Sequence, residues 1–173
     1  MSADNKALNN TKTDRTKYIV TQVYLALARN EQNRFDSIRL SLPLNKSLTL
    51  KKKAMQSAVK YYGKSSLYND YEATTEATFS IARIYQGFSK SLLESDRPNN
   101  LNDEELDQYE ILLEDKAFPF EDKSIGFYEI NLSRIQHGYF NSWIEKSQQK
   151  LVELFPVRYN RQPKQDDSII EYQ

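Results

Sequence analysis

The chain has no cysteine, one histidine, one tryptophan and four glycines. Without cysteine there is neither a disulfide framework nor a thiolate metal site, and either redox compartment is allowed. A lone His137 leaves no paired imidazoles for a transition metal. Gly63, Gly87, Gly126 and Gly138 stand apart, so no glycine-rich loop exists to cradle a phosphate. So few forced turns argue for long elements rather than a many-turned sandwich. No apolar run approaches the length of about 20 residues needed to cross a bilayer. Met1 to Asn10 is polar and lacks the apolar centre of a signal peptide. A signal removed earlier, or a longer parent chain, stays compatible with that.

What is present is ample for folding. The 173 residues include 39% aliphatic and aromatic side chains and 28% charged ones, with 12 tyrosines and 8 phenylalanines. That mixture describes one folded domain, able to bury roughly 70% of the unfolded surface. Net charge is zero but unevenly spread. Residues 1–60 carry +8, residues 61–130 carry −9 and the remainder +1. A basic first third invites a nucleic-acid reading. Complementary blocks, meeting within one fold or between copies, explain the same pattern more simply.

Apolar residues recur at three- and four-residue steps almost throughout, which predicts helices. The first runs from an N-cap at Thr13 towards Asn30, with Tyr18, Ile19, Val20, Val23, Ala26 and Leu27 inward. Phe35, Ile38 and Leu42 either prolong it or form a separate turn before Pro43. A second spans about Ser47 to Tyr62, with Gly63 as its C-terminal cap and Lys51, Lys52 and Lys53 solvated. A third covers about Glu72 to Ser95, with Gly87 as a close-packing point or a kink, and Tyr85 and Phe88 inward. Asn102 and Glu105 form a capping box for a helix that Pro119 should stop. Another runs from Glu121 to His137, closed by Gly138. Asn141 caps the last, which carries Trp143 inward and ends at Pro156. Residues 1–12 read as a flexible leader, 13–159 as the helical hairpin domain and 160–173 as a flexible tail.

Pro119 and Pro156 lie 37 residues apart. One helical hairpin fills that distance, close to the roughly 34-residue period of a tetratricopeptide repeat. Residues 73–85 (ATTEATFSIARIY), 92–98 (LLESDRP), 109–114 (YEILLE), 117–125 (AFPFEDKSI), 128–131 (YEIN) and Trp143 through Tyr159 together resemble a group of bacterial cell-envelope tetratricopeptide (TPR) proteins. Members of that group are described as components of a TonB-type energy-transduction system or likened to gliding-motility proteins. The similarity runs from about Pro43 to Tyr159. The repeat consensus is degenerate, because Leu132, Ile144 and Leu151 stand where small residues are expected. The resemblance implies a periplasmic or cell-envelope scaffold, of which this chain would be a C-terminal piece.

No constellation carries catalytic chemistry. His137 falls at a helix end beside Gly138, where an imidazole meets the helix dipole, and no nucleophile context accompanies it. Asp103, Glu104, Glu105, Asp107, Glu110 and Glu114 lack the alternating ligands and central glycine of a calcium loop, so they read as a solvated helix face. We therefore expect no catalytic residue, no cofactor and no metal. Lys51, Lys52 and Lys53, followed by Tyr61, Tyr62, Tyr68 and Tyr71, form the candidate partner-binding surface.

The expected architecture is all-α, with about three antiparallel hairpins stacked as a short TPR-like α-solenoid. The expected role is a non-catalytic scaffold that binds another protein or peptide. Nucleic acid is not expected as a partner, and membrane contact would be indirect, through envelope partners. The charge layout also allows association between copies. The rival reading is an all-helical ligand-binding domain or enzyme, which an enclosed pocket with converging polar groups would favour.

Overall fold

A computed structural model describes residues 13–159. The expected leader and tail, residues 1–12 and 160–173, lie outside the described residues. Six α-helices follow in order, with no strand among the described residues: α1 (Asp14–Ser37), α2 (Leu44–Ser65), α3 (Tyr71–Leu93), α4 (Asp103–Ser133), α5 (Ser142–Leu154) and the short α6 (Pro156–Tyr159).

Local chemistry sets several helix ends as expected. The Thr13 hydroxyl accepts from Thr16 N at 3.2 Å and opens α1. Asn102 and Glu105 close a reciprocal capping box at the start of α4, each bond 2.9 Å long. Asn141 Oδ1 accepts from Ile144 N at the start of α5. Gly138 takes a left-handed φ of 77° and closes the 3₁₀ turn Arg134–His137 that follows α4.

Four expectations fail where burial overrules local preference. Asn30 does not stop α1, which continues to Ser37 and carries Phe35 into the core. An asparagine costs a helix under about 1 kcal/mol, less than burying one phenylalanine returns. Gly63 lies inside α2, and the reversal comes at Asn69 with φ 57°. Pro119 lies inside α4, a single helix of 31 residues where two were expected. Proline in a helix interior costs about 3 kcal/mol. Ala117, Ser124, Tyr128 and Asn131 on both sides of it are buried, so continuing the helix keeps both halves packed. The fourth concerns the inward face of α1. Tyr18, Ile19 and Val23 are exposed, while Thr21, Tyr24, Leu25, Ala28, Gln32 and Phe35 face the core.

Helix α3 is the centre of the molecule, with thirteen of its 23 residues buried. It packs against α1, α2, α4 and α5, and α1–α2 and α3–α4 form the two long antiparallel hairpins. One core joins Leu25, Phe35, Ala58, Tyr62, Ile84 and Phe88. A second joins Phe79, Ala82, Tyr128 and Leu151. Gly87 is the close-packing point anticipated from sequence, because a Cβ there would sit 3.3 Å from the Phe35 ring. Phe88 is buried, and Tyr85 and Trp143 lie inward as expected, partly buried against the two cores. Buried Asn131 donates to Thr75 O and to Ser147 Oγ, pinning α4 between α3 and α5.

Candidate functional site

The odd-numbered helices line a surface groove of about 310 Å³. Arg29, Gln32, Asn33 and Asp36 come from α1; Glu76, Phe79, Ser80 and Arg83 from α3; Trp143 from α5. The only other contributor is Tyr62 of α2. Helices α1 and α3 each present these residues at three- and four-residue steps, so those of one helix share one face.

The groove walls are internally paired. Arg29 Nε and Nη2 donate to the two Glu76 carboxylate oxygens, each at 2.7 Å. Such a forked geometry orients both groups and is stronger than a point contact. Glu76 is nearly buried while Arg29 is half-exposed, so the carboxylate depends on this partner. Further along, Arg83 reaches Asp36 at 3.8 Å, with both half-exposed. At the floor, the Tyr62 hydroxyl donates to Gln32 Oε1 at 2.6 Å. Burial pushes its ionisation above the ordinary tyrosine value. The apolar part is Phe79 against Trp143, ring centres 5.5 Å apart, with Lys146 Nζ 4.2 Å over the indole.

Chemically, the groove combines aromatic, charged and amide side chains. It offers an aromatic patch, one forked ion pair, one longer and looser pair, and the exposed Asn33 amide. Among the described residues, no group of three or more acidic or imidazole side chains is arranged to hold a metal ion. No described helix is long and apolar enough to cross a membrane. No family model matches the chain, and no curated protein or solved structure matches it.

The residues anticipated as a partner surface do not form one. Lys51 is not solvated; it is 3% exposed. Its Nζ donates to Phe35 O at 2.9 Å and Ile38 O at 2.7 Å and lies 4.1 Å from the Phe35 ring centre. It therefore caps the last carbonyls of α1, and burial lowers its pKa from the ordinary lysine value. Lys52 and Lys53 are exposed on α2, as expected. Tyr62 is buried, and Tyr61 is half-buried against the Tyr24 ring. Tyr68 ends the 3₁₀ turn Ser66–Tyr68. Tyr71 stacks on Tyr139 at 4.6 Å, in a separate hollow lined by Asn69, Thr74, Arg134 and His137. Anticipated residues thus scatter over a helix end, an outer face, the core and a second hollow.

The groove residues themselves were missed from sequence. One signal was available: Arg29, Gln32, Asn33 and Asp36 form a polar stripe beside Leu25 and Phe35, as do Glu76, Ser80 and Arg83 beside Ala77 and Ile84. Which stripe meets which is a tertiary fact.

Proposed function

We propose that the chain is a non-catalytic protein-interaction scaffold of TPR-like hairpins, whose groove holds an extended peptide or a helix of a partner protein. The observation that supports this reading is the lining of the groove: α1 and α3, the first helices of the two long hairpins, and α5, which follows them, supply nearly all of it. Stacked hairpins create that kind of concave surface. The neighbour pattern supports it as well, since α3 touches both the helices adjacent to it in sequence and those two steps away. After α5 only the four-residue α6 follows among the described residues.

Function then follows from contact alone. Trp143 and Phe79 would take an apolar side chain, and Asn33 would meet the peptide backbone. Arg83 and Asp36, half-exposed and loosely paired, are the groups a charged ligand could re-pair. The setting in the cell envelope, and any link to a TonB-type system, is carried by the sequence resemblance.

A photo-crosslinking residue at position 33 tests this in cell-envelope extracts. We expect a partner that is captured there, lost in Arg83→Glu, and not captured by the same crosslinker at position 52. The captured segment, made as a synthetic peptide, should shift the emission of Trp143, the only tryptophan. Equal capture at both positions, insensitive to Arg83→Glu, would overturn the assignment of the groove.

A further inference from the structure

The outer faces of α2 and α4 carry opposite charges, most of which no ion pair among the described residues neutralises. Helix α2 holds six lysines and no carboxylate. Lys51 is buried beneath α1, but Lys46, Lys52, Lys53 and Lys60 are exposed and take part in no ion pair among the described residues. Helix α4 holds ten carboxylates and two lysines. Glu110 is engaged by Arg97 and Glu129 by Arg158, while Asp107, Glu114, Asp115 and Asp122 are exposed and take part in no ion pair among the described residues. The molecule does pair charges elsewhere, between α1 and α3 for instance. On these two faces such unpaired charges are concentrated, one sign to each face.

Both faces also have the spacing of a helix–helix seam. On α2, Lys46, Leu50, Lys53, Ser57 and Lys60 recur at steps of four, three, four and three. On α4, Ile111, Asp115, Phe118 and Asp122 recur at steps of four, three and four. Such alternation keeps one stripe facing a neighbouring helix. Large apolar side chains sit between the charges and are left in water: Leu50 is 44% exposed, Ile111 59% and Phe118 67%. At about 1.5 Å per residue the seams run roughly 21 Å and 17 Å, so their lengths match.

We propose that a second copy of this chain is the occupant: α2 of one copy packs along α4 of another. The lysines would meet Asp115 and Asp122 while Leu50, Ile111 and Phe118 leave solvent. One sequence supplies both halves, so association is self-complementary. The interaction uses no groove residue and is independent of what the groove holds.

Charge reversal with complementation tests it. The parent protein should sediment above the mass of one chain in about 20 mM salt and fall towards one chain in about 500 mM salt. Lys46→Glu/Lys53→Glu/Lys60→Glu should lose association, as should Glu114→Lys/Asp115→Lys/Asp122→Lys. An equal mixture of the two variants should regain it, because each reversed face then finds an opposite one. Circular dichroism melts of both variants should match the parent, since every substituted side chain is exposed. A parent that stays at one chain up to about 100 µM at low salt would overturn the proposal. So would well-folded reversal variants that associate like the parent, or that fail to complement each other.

Discussion

The groove and the outer faces treat charge in opposite ways. In the groove, Arg29 forks onto Glu76, and Arg83 approaches Asp36. On the outer faces of α2 and α4, Lys52, Lys53, Asp115 and Asp122 stand exposed with no ion-pair partner among the described residues. The difference follows from burial. Glu76 is nearly enclosed, and an ionised group leaving water must be compensated within the chain. Exposed lysines are compensated by water and salt, so their arrangement is free to serve an outside partner. Adjacent residues make the point most sharply: Lys51 is tied to two carbonyls, while Lys52 and Lys53 are in water.

The largest expected effect comes from alkaline titration of the buried side. Burial raises the pKa of Tyr62, Tyr85 and Tyr128 above the unfolded value of 10.0. For such groups the folded state holds more protons than the unfolded state above pH 10, so stability is fully present below that pH and is lost as pH rises. Each contributes a slope of up to about 1.4 kcal/mol per pH unit. Lys51, with its lowered pKa, acts in the opposite direction up to its unfolded value of 10.5. Three tyrosines outweigh one lysine, so urea midpoints should fall steeply above pH 10. Tyr62→Phe should make that fall shallower; an unchanged slope would mean that Tyr62 is solvated.

Next in size is Arg29→Ala, which leaves the Glu76 carboxylate enclosed and unpaired. A loss of about 2–3 kcal/mol is expected in urea unfolding, and Arg29→Ala/Glu76→Leu should recover part of it. Were the single variant neutral, the groove pair would be no different from an exposed one.

Lys51→Ala removes two hydrogen bonds and a cation–π contact at the end of α1. We expect a loss of about 1–2 kcal/mol. Lys52→Ala, its neighbour, should stay within about 0.5 kcal/mol. Equal thermal midpoints for the two variants would erase the distinction between them.

The smallest effect belongs to the outer face. Lys46→Glu/Lys53→Glu/Lys60→Glu should change the stability of the isolated chain by about 0–1 kcal/mol, because exposed charges contribute little each. Calorimetry at high salt, where association is suppressed, measures it. A large loss would show that these lysines hold the fold.

Much of the fold was legible because it is local. Helical periodicity and the caps at Thr13, Asn102, Asn141 and Gly138 depend on residues within one turn of each other. The candidate site was far less legible. It is assembled from α1, α3 and α5, and no stretch of sequence contains more than one of its walls. Consecutive lysines and clustered tyrosines look like a surface in one dimension. A helix turns each residue about 100° from the last, so neighbours in sequence point to different environments.

By itself the sequence determined that the chain is helical, where most helices begin, and how charge divides between the first third and the middle. Tertiary structure decided the rest. It carried α1 past Asn30 and α4 through Pro119, turned Lys51 inward, and left Ile19 and Val23 in water. The physical reason is one of scale. A local preference costs about 1 kcal/mol, or about 3 for proline, and packing a helix face against α3 returns more than that.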